Sequence, residues 1–445
     1  MDGRSLAGRR DELVVLAATV LGMAPGFMVP FVASLVLPAA DADVLLLGYA
    51  IMLFLSTVVG LAVEANTIGE YGRRPTRVRW SWSSNFGGYT RRLLLVSAGI
   101  VVVVAPLLTW VYSSNRGPGA LVVIAWPFAL AGFVATVTGL FSGVVVARGG
   151  ASWCVGSQSL RALPALTCML ALPEPGMVVI AWCFVFGEVL RASALGALAL
   201  RRPDNAVPEA DEQWQSRGAM WQMLSTSGSQ VSPAVDRWFL TLGGAGSIAA
   251  YEIADKAFYV GYKLVTGGLL LRRMAAWGNL EARGRTAARR MVVADARRLA
   301  GVGLLTAPVA VGAVAAALAV GLVPDSWSTG LLWAAILCVG LPLGIVHLLL
   351  SRLLVVLRQQ WKLLPLTCVG VVANLVLDIV FFLAFGPVGI VLSTVGTRLF
   401  SVTAYGLVCA AALRRIPEIS NDLHPAPGSR SFHGPVTGPL PHRER

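Results

Sequence analysis

The sequence predicts an all-α, polytopic membrane protein of twelve transmembrane helices. Three observations carry that expectation. Hydrophobic residues make up 56% of the 445 and mean hydropathy is +0.71, so the chain lacks the polar surface a soluble globule needs to cover itself. Twelve apolar runs are each long enough to cross a hydrocarbon core of about 30 Å. The basic residues between those runs alternate from side to side.

The runs fall at 13–36, 44–66, 93–112, 120–146, 152–172 and 177–199 in the first half, and at 219–242, 248–271, 299–322, 329–351, 363–385 and 388–413 in the second. Lipid offers no partner to a free backbone N–H or C=O, and these runs are too long for barrel strands, so each is expected to be a helix. Outside the runs, the lysines and arginines sit on alternate connectors, beginning with Arg4, Arg9 and Arg10; Arg116 is the sole exception. Cationic connectors resist translocation, which places both termini on the cytoplasmic side of a bacterial inner membrane. The net charge of +13 is accounted for by this asymmetry and by attraction to anionic membrane lipids, which argues against nucleic acid as a partner.

The polar stretch "RRPDNAVPEADEQWQSRG" divides the runs six and six. Expected boundaries are a first lobe over 1–200, a cytoplasmic linker over 201–218, a second lobe over 219–415 and a disordered cytoplasmic tail over 416–445. Residues 280–298 read as an amphipathic helix, either on the inner leaflet or solvated. Cys154, Cys168, Cys183, Cys338, Cys368 and Cys409 lie inside runs without metal-type or redox-type spacing and read as small packing residues. No metal site and no catalytic constellation is expected, so the chain does not read as an enzyme.

The charges inside the runs carry the functional information. A charge at the bilayer centre costs about 2.5–3.5 kcal/mol on insertion scales, so such residues are expected to face one another or water rather than lipid. The seventh and eighth runs meet at the turn "GGAGS", and residues equidistant from it share a depth, which sets Asp236 and Arg237 level with Glu252. Glu252, Asp255, Lys256, Tyr259, Tyr262 and Lys263 recur at steps of three or four and share one helical face. Two readings stay open. One is a hairpin locked by Arg237 with Glu252 and Asp236 with Lys256. The other is a cavity lining, favoured by the deeper Lys263 and by Tyr251, Tyr259 and Tyr262. Glu188 and Arg191, one turn apart, read either as an internal ion pair or as coupling groups of a transport route. Asp378 and Arg398, at comparable distances from the Gly386–Pro387 turn, are expected as a structural bridge. Arg161, with no local partner, is expected to contact an anion. His347 reads as a satisfied buried imidazole.

Arg161, Arg237, Lys256 and Lys263 inside a membrane suit an anionic cargo, because a diphosphate accepts several charge-assisted hydrogen bonds. The acids Asp236, Glu252 and Asp255 offer coupling to protons or sodium ions, with no other cofactor expected.

Two hairpins also carry a resemblance. "VDRWFLTLGGAGSIAAYEIADKAFYVGYKL" at 235–264 resembles the seventh-to-eighth hairpin of the lipid-linked saccharide flippases in the multidrug/oligosaccharidyl-lipid/polysaccharide (MOP) exporter superfamily, and "VVANLVLDIVFFLAFGPVGIVLSTVGTRL" at 371–399 is similar to their eleventh-to-twelfth hairpin. The resemblance implies two six-helix lobes in a V around a central cavity. It also implies transport of a polyprenyl-diphosphate-linked saccharide to the outer leaflet, with Lys256 in the place of the eighth-span cation and saccharide synthesis or polymerisation proteins as partners. The peptidoglycan-precursor (MurJ) group carries arginines in its first two spans and two extra helices, whereas spans one to four here have no arginine. A polysaccharide-type cargo is therefore preferred to lipid II. A second function class is a cation-coupled multidrug or small-solute antiporter, with Asp236, Glu252 and Asp255 as its active groups.

Overall fold

The computed structural model describes residues 3–64, 67–68, 77–78, 85–113, 119–148, 150–201, 206–207, 217–259, 262, 284–321, 323–357 and 359–418. Helical residues fall inside every one of the twelve expected runs. In chain order the helices are α1 Gly3–Val36, α2 Ala39–Leu55 with a π-helical continuation Ser56–Leu61, α3 Asn85–Ser113, α4 Gly119–Ala147, α5 Ala151–Gly156, α6 Ser159–Ala171 and α7 Met177–Leu200. The second half contributes α8 Arg217–Thr241, α9 at 247–259, α10 Arg285–Ala319, α11 Asp325–Val339, α12 Leu341–Val356, α13 Leu363–Phe385 and α14 Pro387–Arg414. A two-residue parallel bridge joins Arg77–Val78 to Ala206–Val207.

Eight helices are long and apolar enough to cross a bilayer, or nine when α11 and α12, bent by 53° at Gly340, count as one span. The chain is thus a multi-pass membrane protein, although twelve crossings are not established among the described residues. The expected eighth run extends past the described part of α9, and α8 is diluted by the polar stretch "STSGSQ". Burial is reversed relative to a soluble protein: Leu305, Leu383 and Trp110 are exposed, whereas Glu188, Glu252 and Asp378 are fully buried.

In the first half α4 packs on α2, α3 and α7, while α6 lies between α1 and α7. In the second half α14 packs on α12 and α13, α8 on α13, and α10 on α11 and α12. The halves meet where α8 touches α2 and its π-helical continuation, and where α1 touches α11. Glycine permits the closest approaches. A Cβ on Gly139 of α4 would stand 2.2 Å from the Gly60 carbonyl oxygen, in the π-helical part of α2.

Two elements differ from the sequence expectation. The run at 152–172 is broken at Ser157–Gln158, because the hydroxyls of Ser157 and Ser159 donate back to the carbonyls of Cys154 and Gly156 and compete with the helical ladder. The segment at 280–298 is not a separate surface helix where it is described: from Arg285 it runs unbroken into α10. Buried Ala288, Val292, Asp295, Leu299 and Gly303 form one stripe along it, and no proline falls between Arg285 and Leu299, Pro308 coming only further along the helix. At ~1.5 Å per residue this helix is about 50 Å long and projects beyond a bilayer core. Its start is tied to the end of α14, where the Arg285 guanidinium donates to the Ile416 carbonyl at 2.9 Å. The tail expected to be disordered lies, beyond Glu418, outside the described residues.

Candidate functional site

The α8–α9 hairpin forms as expected, with Gly246 at φ +89° in the turn. Arg237 on α8 donates through Nε to Glu252 on α9 at 2.7 Å and through Nη1 to the Pro233 carbonyl at 3.1 Å. The other Glu252 oxygen faces Lys256 Nζ at 3.5 Å, and Lys256 also reaches Asp255 at 3.3 Å. Glu252 is fully buried, but the Asp255 side chain is 32% exposed. Tyr259 is exposed and Tyr262 half-buried on the same face, their rings 6.2 Å apart. Lys263 lies outside the described residues.

The first half holds a parallel arrangement. Arg161 on α6 donates through Nε to Glu188 on α7 at 2.6 Å, and Arg191 approaches the second Glu188 oxygen at 3.6 Å. The Glu188–Arg191 pair therefore forms, but as the weaker arm of a triad. Arg161, which has no partner near it in sequence, is not alone. Gly187 explains why: a Cβ there would stand 2.4 Å from the Arg161 carbonyl oxygen, so only glycine lets α6 lie close enough for Arg161 to reach Glu188. Arg161 Nη1 also reaches the Ser56 hydroxyl at 3.4 Å, at the start of the π-helical stretch, where such irregularities commonly accompany functional sites. The buried Tyr49 of α2 lies within electrostatic reach of both Arg161 and Lys256, which brings the two triads toward one another.

A third cluster joins α8, α9, α13 and α14. Asp236 accepts hydrogen bonds from Tyr251 Oη at 2.7 Å and Asn374 Nδ2 at 2.8 Å, with Thr394 at 3.4 Å. Asn374 Nδ2 also donates to Asp378 at 2.8 Å, and Ser393 donates to the other Asp378 oxygen. Thr397 donates to Asn374 Oδ1 at 2.9 Å. Two sequence expectations are corrected here. Asp236 does not pair with Lys256, which turns to Glu252 and Asp255. Asp378 does not pair with Arg398. Asp378 precedes Gly386 by eight positions and Arg398 follows it by twelve, a depth difference of roughly 6 Å at ~1.5 Å per residue, whereas Ser393 stands level. Arg398 instead places its guanidinium carbon 3.8 Å from the centre of the Phe258 ring. His347 is half-buried and packs edge-on against Tyr405, ring centroids 4.6 Å apart.

At the end of the bundle that carries the short turns, Asp43 of α2 bridges the halves. It is fully buried and accepts from the Gly246 and Ala249 backbone amides at 2.8 and 2.9 Å, capping the start of α9. Nearby, the Trp327 indole of α11 donates to the Phe31 carbonyl of α1 at 2.9 Å, and their rings meet edge to face.

No protein-family profile and no curated protein sequence matches the chain. Solved structures do. Lipid II flippase MurJ in an inward closed conformation superposes with a TM-score of 0.70 at 12% identity, covering 91% of this chain and 89% of that one. An inward-facing multidrug resistance MATE family transporter of the MOP superfamily gives 0.67 at 14% identity, covering 91% and 99%. A MOP superfamily transporter from Pyrococcus furiosus, described as having a binding pocket of reversed polarity, gives 0.58 at 13% identity, covering 90% and 96%. The chain shares the fold of these solved transporters.

Within this fold, sequence reasoning located Asp236, Glu252, Asp255, Lys256, Glu188, Arg191 and Arg161 but missed Asn374, Ser393, Thr394 and Asp43 as partners. Asn374 and Asp378 carried a signal, since two polar residues four apart on an apolar helix share a face. Asp43 carried none, because its partners lie more than 200 residues away.

Proposed function

We propose that the protein is a membrane transporter that flips a polyprenyl-diphosphate-linked saccharide, a polysaccharide or cell-wall precursor, from the inner to the outer leaflet by alternating access between two six-helix lobes. The observation that carries this reading is the pair of triads. In each half one buried glutamate holds two cations, Arg161 and Arg191 on Glu188, Arg237 and Lys256 on Glu252. One carboxylate cannot neutralise two cations, so the Glu188 triad keeps a surplus positive charge, while at Glu252 the second cation, Lys256, is balanced only by sharing the partly exposed Asp255. An isolated scaffold gains nothing from that cost, whereas an anionic lipid headgroup supplies the missing charge on arrival. The superposition on a lipid II flippase supports the same class of cargo. The absence of arginine from the first four spans favours a polysaccharide-type lipid over lipid II.

Asp236 and Asp378, linked through Asn374 and paired with no basic residue among the described ones, are the groups we assign to coupling with protons or sodium ions. The same pair favours a second reading, a cation-coupled multidrug or small-solute antiporter, for which MATE transporters are the structural precedent. Depletion of the protein in its native bacterium, followed by leaflet-resolved analysis of lipid-linked sugars, separates the two. Accumulation in the inner leaflet, restored by wild type but not by Lys256→Ala inserted at equal level, is expected. Unchanged lipid pools together with drug sensitivity reject the flippase reading.

A further inference from the structure

Among the five described cations inside the expected membrane runs, Arg161, Arg191, Arg237, Lys256 and Arg398, only Arg398 has no carboxylate within ion-pair distance. Its surroundings are ordered around it. The guanidinium stacks on Phe258, whose ring is itself stacked with Tyr262 at 5.9 Å. Its Nη1 is buried without a hydrogen-bond partner, beside Gly340, where a Cβ would come within 3.2 Å of it. Gly340 is the residue at which α11 and α12 bend, and Gly344 one turn later receives the Phe258 and Tyr262 rings. Three helices, α9, α12 and α14, thus hold the guanidinium against an aromatic wall. The acid that acts on it most strongly is Asp255, which is bonded to Lys256 and one-third exposed.

We infer that Lys256 and Arg398 are the two arms of a diphosphate-binding subsite, with Asp255 as the placeholder carboxylate that a bound diphosphate displaces. The inference rests on the flippase reading and names the residues that would hold the headgroup. A guanidinium fork suits one phosphoryl group and the compact ammonium the other. Phe258 keeps the fork flat and dry, so that a phosphate oxygen meets it at lowered screening. A neutral sugar would leave the charge uncompensated, and a cationic drug would be repelled by it.

Binding of farnesyl diphosphate, and of uncharged farnesol, to the full-length protein in phosphatidylcholine nanodiscs tests the subsite. Arg398→Gln is expected to weaken farnesyl diphosphate binding about ten- to a hundredfold, the range of a lost charge-assisted pair, without changing farnesol binding. Asp255→Asn is expected to tighten it, because the competing carboxylate is gone. A purely structural Arg398 would not produce opposite signs in the two variants. Competition by inorganic diphosphate locates recognition in the charged group, while competition by farnesol alone overturns the subsite. Equal diphosphate affinity in wild type and Arg398→Gln overturns the subsite and leaves the flippase reading standing; no binding by wild type removes both. Should Arg398→Gln fail to fold, affinity of Asp255→Asn at or below wild type overturns the proposal on its own.

Discussion

Glu188 and Glu252 each neutralise one arginine at hydrogen-bonding distance and hold a second cation about an ångström further away. Removing Glu188 leaves Arg161 and Arg191 facing each other with no carboxylate between them, and breaking a buried pair in this way typically costs about 3–5 kcal/mol. Glu188→Gln is therefore expected to lower the thermal unfolding midpoint in detergent sharply. Adding Arg161→Gln should recover part of the loss, since the pair acts as a unit. Strictly additive losses in the two variants would reject the triad. Arg237 and Glu252 could be paired from depth alone, because both sit on one hairpin with a recognisable turn. Arg161 and Glu188 could not, because their meeting depends on the close passage of α6 over α7 at Gly187.

At the scale of elements, that crossing is the point most sensitive to volume. Gly187→Leu would drive a side chain into the Arg161 and Leu160 carbonyls, whose oxygens lie 2.4 and 2.5 Å from a Cβ. Overpacking of this kind costs about 1–3 kcal/mol and would force α6 away from α7. The expected outcome is reduced stability together with lost transport, and wild-type values for both would contradict the crossing. The long helices were legible because each is an apolar run bounded by polar connectors. The break between α5 and α6 and the π-helical turn after Leu55 were not, since both arise from hydroxyl back-bonding and interhelical contact rather than from proline or local propensity.

For the molecule as a whole, Asp43 decides how one end is closed. Its carboxylate ends the α9 helix from the opposite half, where it meets both free amides and the positive end of the helix dipole. Loss of such a cap costs about 0.5–2 kcal/mol, enough to move a two-state equilibrium by about twofold to thirtyfold. Asp43→Ala is expected to favour the arrangement open at that end. Labelling of a cysteine at Ala249 by a membrane-impermeant maleimide should then rise severalfold, and unchanged labelling would show that the contact does not hold the halves together.

Taken alone, the order of residues determined that the chain is helical, crosses a membrane repeatedly and carries charges where lipid would not tolerate them. Those properties follow from hydropathy and helical periodicity, which are local. Which charge meets which was decided only by the tertiary structure: Arg398 was left to Phe258, Asp378 to Asn374 and Ser393, and Asp43 to a helix two hundred residues away. The reason is geometric. Depth in a bilayer can be counted along a chain, but the rotation and approach of neighbouring helices are set by packing, most tightly where a glycine lets two backbones touch.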